Sequence, residues 1–212
     1  MLRTLKEKVQ PGHAALLVID MQNDSCHEEG FTAIQGRDVS LKQKMLPQLV
    51  RFLSAARKQK LRIIFVQHVN NDWTLSEVGR ELLLRGFGQG AQIICEEGSW
   101  GAGFYEVKPL PDEPVITKHR YSAFMDTNLD LMLRSTGIKS LILTGVATNA
   151  CVESTARDGF MKDYYVVMVS DCTAAESTAE HEAALLNIRN YFGAVASSDK
   201  IMALWDNTGT NP

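Results

Sequence analysis

The chain has 212 residues, of which 45% are hydrophobic and 22% charged, with a formal net charge of −3. That length suits one α/β domain with a sizeable core, and the charge balance argues against a nucleic-acid or anionic-membrane partner. No apolar run approaches the ~18 residues needed to span a bilayer, and the scattered Cys26, Cys95, Cys151 and Cys172 form neither C-x-x-C pairs nor a disulfide framework.

The opening stretch M-L-R-T-L-K-E-K-V-Q-P-G is charged and lacks a long apolar core. No secretory signal is expected, and reduced thiols in a cytoplasm are the expected state. Ala14 to Ile19 is a short apolar run ending at Asp20. Such runs suit strands buried on both faces. Pro47 to Lys58 carries apolar residues at helical spacing, and its proline fits a first helical turn. Leu61 to Val66 reads as a second strand. After it, His68 and Asp72 are polar residues in a loop, where a metal site is conceivable but scattered loop residues are the plainer reading. Residues 86 to 113 hold G-F-G-Q-G, E-E-G-S-W-G-A-G-F and P-L-P-D-E-P, a glycine- and proline-rich connection that suits a loop or a site wall. G-F-G-Q-G opens no helix and is no dinucleotide fingerprint.

The run P-V-I-T then leads to Lys118. Thr127 to Ser135 reads as a helix with a capping threonine, stopping before Gly137. Ser140 to Thr144 is a third long strand, followed by the turn G-V-A-T-N-A and Cys151. Helices over Cys151 to Met161 and Thr178 to Tyr191 flank a strand from Tyr164 to Val169. The tail after Trp205 is expected to fray. Strand and helix alternate throughout, which predicts a parallel sheet with helices on both faces. We find no repeat and no domain boundary, so residues 1–212 are expected to form one domain.

In a parallel α/β sheet, ligands bind outside the carboxyl ends of the strands. Asp20, Lys118 and Cys151 all fall at such ends. An ordinary thiol, with a pKa of ~8.5, is mostly protonated at neutral pH. A helix N-terminus and a nearby cation favour the thiolate. Asp20 is placed to take the thiol proton, Lys118 to hold both anions, and the N–H groups of the Thr148 to Cys151 turn to meet an oxyanion. That is equipment for acyl transfer through a covalent intermediate. The plain readings stand beside it. A cysteine at such a turn is more often a small buried residue, an aspartate at a strand end is often a cap, and Lys118 fits a solvated side chain. Cys26, Cys95 and Cys172 keep the plain reading. The five histidines show no metal spacing, and no metal or other cofactor is expected.

Three blocks change the weights: L-L-V-I-D-M-Q-N-D, V-I-T-K-H-R-Y-S-A-F and L-T-G-V-A-T-N-A-C-V-E-S-T-A-R-D-G-F. Together, in this order and spacing, they resemble the isochorismatase-like cysteine hydrolases from about residue 12 to about residue 205. The resemblance implies a three-layer sandwich with a six-stranded, mainly parallel sheet. It implies an Asp–Lys–Cys triad at Asp20, Lys118 and Cys151. It also implies a cis peptide between Val146 and Ala147, with Ala147 and Cys151 donating N–H groups to the oxyanion. Cys151 argues against the isochorismatases proper, which lack the cysteine. The stretch H-V-N-N-D-W-T-L-S-E lacks the histidines of the nicotinamidase metal site. The blocks resemble most the ureidoacrylate, biuret, triuret and N-carbamoylsarcosine amidohydrolases, which implies cleavage of a small ureide or carbamoyl compound. A nicotinamidase-like amidase and a non-catalytic binding protein are the alternatives. Asn23, Phe31, Trp100, Tyr121 and Thr148, close to the motifs, are the candidates for shaping the pocket, and Phe31 and Trp100 fit packing roles equally. Relatives often carry an aromatic where this chain has Ser25. They assemble as dimers or tetramers, so a homo-oligomer is expected.

Overall fold

The computed structural model describes residues 1–88 and 93–206. In chain order its elements are α1 (Leu5–Lys8), β1 (Ala14–Ile19), α2 (Asn23–Cys26), α3 (Phe31–Ile34), α4 (Ser40–Lys58), β2 (Arg62–His68), α5 (Glu77–Phe87), β3 (Val115–Lys118), α6 (Leu129–Ser135), β4 (Ser140–Val146), α7 (Glu153–Met161), β5 (Tyr165–Ala174), α8 (Thr178–Asn187), β6 (Gly193–Ala196) and α9 (Ser198–Asp206). Wide helical turns precede α7 (Thr148–Val152) and follow α8 (Ile188–Phe192). The six strands form one sheet in the order β3-β2-β1-β4-β5-β6, and every neighbouring pair is parallel.

The apolar runs explain the layers. β1 and β4 are buried at every position. Alternate side chains point to opposite faces. Leu16 and Val18 join one core with Leu49, Phe52 and Leu53 of α4 and Trp205 of α9. Ala15, Leu17 and Ile19 join the other, with Leu129 and Leu133 of α6 and Leu185 of α8. Trp205 stacks on Phe52 at 5.2 Å between ring centroids and donates its indole N–H to the Val9 carbonyl at 2.7 Å.

Four helices differ from expectation at one end, and α7 begins at Glu153 because Cys151 lies in the wide turn before it. α4 begins at Ser40, and Pro47 lies inside it. The true start is set by Asp38, whose carboxylate accepts from the Ser40 N–H at 2.7 Å. α6 begins at Leu129, and the Thr127 hydroxyl accepts from the Leu129 N–H at 3.2 Å. The helix expected over Thr178 to Tyr191 passes from α8 into the wide turn. β6 has no counterpart in the sequence reading, and the tail expected to fray lies, after Asp206, outside the described residues. The connection over 86 to 113 is irregular where described, with single bridges from Phe104 to Gln22 and from Glu96 to Asn70.

The chain runs outward from β1 through β2 to β3, then returns to β4 on the other side of β1. The strand order reverses there, so a crevice opens at the carboxyl ends of β1 and β4. The two strands approach closely at Gly145, where φ is +102° and a Cβ atom would sit 2.0 Å from the Ile19 carbonyl oxygen. Only glycine fits that position.

Candidate active site

Three strand ends deliver the expected triad to one point. Asp20 follows β1 with φ at +50°, and its N–H still extends the ladder to the Val66 carbonyl at 3.0 Å. Lys118 ends β3, in register with His68 at the end of β2. Cys151 lies in the wide turn after β4. Lys118 reaches across β2 toward β1. Its ammonium lies 2.7 Å from Asp20 Oδ2 and 3.3 Å from Cys151 Sγ. It also donates to the Arg120 carbonyl at 3.0 Å and faces His68 Nδ1 at 3.2 Å. Lys118 and Asp20 are buried, so the solvated reading of Lys118 is excluded. The Val146–Ala147 peptide is cis.

The electrostatics correct one expectation. Burial and the Asp20 carboxylate push the Cys151 thiol up to about 12, against the opposing pull of Lys118. At rest the group is a thiol, not a thiolate. Burial opposes the charge on Lys118, but Asp20 and Cys151 together hold its pKa above the ordinary lysine value, so it stays an ammonium. Burial and the Lys118 charge push His68 down to about 4, which leaves a neutral ring. That ring receives the Lys118 N–H at Nδ1, so its proton sits on Nε2.

Ligand atoms of Asp20, His68 and Cys151 lie within 4.8 Å of one another, a grouping that suits a metal ion by donor type. The Lys118 ammonium already stands at hydrogen-bond or ion-pair distance from all three. A positive charge thus occupies the position a cation would take. His68 and Asp72 do not converge. Asp72 is exposed and pairs with Arg80 at 2.8 Å.

A cavity of about 680 Å³ opens over Cys151 and Asp20. Of the five residues expected to shape it, Tyr121 lines it; Asn23, Phe31, Trp100 and Thr148 do not. Each of those four is engaged elsewhere. Asn23 Nδ2 donates to the Trp100 carbonyl at 2.7 Å and fixes that loop. The Trp100 ring packs edge-on against His27 at 5.0 Å. Phe31 is buried at the start of α3, and its N–H donates to Asp24 Oδ1. The Thr148 hydroxyl meets His181 Nδ1 at 2.9 Å. Val146, Ala147 and Cys151 do line the cavity, as does Ser25.

Gln22 was passed over in the sequence and is buried beneath the site. Its side chain bonds the N–H and carbonyl of His68 and the Ala102 carbonyl, each at 2.8 Å, and so ties the ends of β1 and β2 to the loop. Arg37, Lys42 and Glu176 were also missed and line the cavity. One signal was readable. Lys42 falls on the buried stripe of α4, with Met45, Leu49, Phe52 and Ala56. Starting that helix at Pro47 cut Lys42 away from its face.

The isochorismatase domain family matches residues 14–200. The chain belongs to the isochorismatase family. It is 34% identical over 216 residues to a ureidoacrylate amidohydrolase RutB of Pseudomonas savastanoi pv. phaseolicola, covering 95% of this chain and 87% of that one. Among solved structures it resembles a cysteine hydrolase from Pseudomonas syringae pv. phaseolicola, with a TM-score of 0.83, 25% identity and coverage of 98% and 97%. It also resembles an N-carbamoylsarcosine amidase from Thermoplasma acidophilum, with a TM-score of 0.70, 26% identity and coverage of 88% and 97%. The six-stranded, mainly parallel sheet that the resemblance implied is observed with every pair parallel, and the fold is shared with these structures. No helix among the described residues is long and apolar enough to cross a membrane.

Proposed function

We propose that this protein is a cysteine amidohydrolase that cleaves a C–N bond of a small ureide or carbamoyl compound, acting as a single catalytic domain and needing no metal for the bond cleavage. One observation carries the reading: a buried ammonium bridges a carboxylate and a thiol at the switch point of a family hydrolase fold. Relatives named ureidoacrylate amidohydrolase and N-carbamoylsarcosine amidase support the substrate class.

In this mechanism Asp20 takes the Cys151 proton as sulfur attacks the carbonyl carbon. The S–C bond forms, and the carbonyl electrons move to oxygen. The N–H groups of Ala147 and Cys151 receive that oxyanion. The electrons then return, the C–N bond breaks, and Asp20 passes its proton to the leaving ammonia or amine. A water enters, gives a proton to Asp20 and attacks the acyl or carbamoyl carbon. The C–S bond breaks, and the thiolate takes the proton back. Lys118 stays charged throughout and holds Asp20 and the sulfur in place.

Ammonia release is the test, measured with biuret, triuret, ureidoacrylate, N-carbamoylsarcosine and nicotinamide, with Cys151→Ser alongside. We expect release from a ureide or carbamoyl compound that vanishes in the variant. Release that persists in the variant, or release from nicotinamide alone, overturns the reading.

A further inference from the structure

We propose that Lys42 is the docking point for a carboxylate carried by the substrate whose carbonyl Cys151 attacks. The inference rests on the proposed chemistry at Cys151 and adds a second pole to the same cavity.

Lys42 lines the cavity that also holds Cys151 and Asp20. Its side chain is 3% exposed, and its nearest ionic neighbour, Glu176 Oε1, stands 3.9 Å away. Among the described residues its ammonium makes no hydrogen bond. A buried ammonium without hydrogen bonds is costly unless something completes it. Glu176 does not. It is engaged by Arg37 at 2.7 Å. Glu180, also on the wall, is bound to the Ser177 hydroxyl at 2.7 Å in the cap of α8. Burial holds Lys42 below the usual lysine range, and an arriving anion would act against that shift.

The cavity's size points the same way. At about 680 Å³ it is too large for a urea-sized group alone, lying well inside the ~300–1,000 Å³ typical of sites for larger ligands. Leu75, Leu82, Leu83 and Ile94 give it an apolar wall. A ligand that fits both poles and the wall has a carbamoyl head for Cys151, a short apolar spacer and a carboxylate for Lys42.

The test compares N-carbamoyl-β-alanine with its methyl ester and with biuret, following ammonia release by the full chain. We expect kcat/KM for the acid to exceed that for the ester at least tenfold. Lys42→Met should lower this acid-to-ester ratio at least tenfold, mainly through KM, while Lys42→Arg keeps most of it. Biuret or the ester turned over as well as the acid, or a ratio unmoved in a folded Lys42→Met, overturns the inference and leaves the proposed function standing. Should no carbamoyl compound be turned over, the proposed function fails. Calorimetric binding of the acid to Cys151→Ala then decides the inference separately. Binding weakened tenfold by Lys42→Met upholds the anion site, and no binding overturns it.

Discussion

Lys118→Met is the substitution that probes the site's electrostatics most directly. The Lys118 ammonium and Asp20 carboxylate stand 2.7 Å apart, with side chains 0% and 5% exposed. At an effective dielectric of ~20, such a contact is worth about 6 kcal/mol before desolvation is counted. Desolvation cancels much of that. The measurable effect is therefore the cost of stranding one charge, ~3–5 kcal/mol when a buried partner is removed. Methionine nearly fills the lysine volume, so little cavity adds to the loss. In Asp20→Asn/Lys118→Met both charges are gone, and most of the loss should return. Urea unfolding of the wild type, both single variants and the double variant closes the cycle. We expect a coupling of at least ~2 kcal/mol and an unchanged dependence on urea. A Lys118→Met cost below ~1 kcal/mol, in the range of exposed pairs, would refute the reasoning. So would a double variant less stable than Lys118→Met alone.

Alkylation of Cys151 by iodoacetamide should rise about tenfold per pH unit from pH 7 to 10 with no plateau, because the thiol is held up to about 12; levelling near pH 9, read by mass spectrometry of the Cys151 peptide, would show an ordinary thiol. Gly145→Ala should cost at least ~3 kcal/mol in urea unfolding through overpacking and left-handed strain, since its Cβ would meet the Ile19 carbonyl; a loss under ~1 kcal/mol, within the range of innocuous substitutions, would mean that β1 and β4 can part there.

The strands were legible because a parallel sheet covered on both faces needs unbroken apolar runs, and Ala14–Ile19 and Ser140–Val146 supply them. β6 was not, because Gly193–Ala196 is short and only half-buried. That Asp20, Lys118 and Cys151 meet was legible because strand ends mark the crevice, whereas the resemblance, not spacing, singled them out as a triad. The rest of the cavity was not, because closeness in sequence is a poor guide to direction. Asn23 lies three residues from Asp20, yet its side chain turns to the Trp100 carbonyl. Thr148 lies three residues before Cys151, yet its hydroxyl turns to His181. Lys42 and Glu176 come from segments far from every motif and meet only in the fold.

The pull of a helix N-terminus toward the thiolate is outweighed here for a physical reason. A helix N-terminus contributes at most ~2 kcal/mol, and only in partly buried geometry. Burial of Cys151 and the facing Asp20 carboxylate act the other way and prevail. This gives the neighbouring charges a specific task in the proposed mechanism. Asp20 both adds to the burial that keeps the sulfur protonated at rest and must accept its proton during attack. A nucleophile is then exposed only when a carbonyl is present to receive it. Lys118 makes that exchange possible, because it faces both partners and can follow the negative charge from carboxylate to sulfur without moving. An arrangement that instead kept a free thiolate would place two anions side by side in a buried site with one ammonium between them, which the like-charge penalty disfavours.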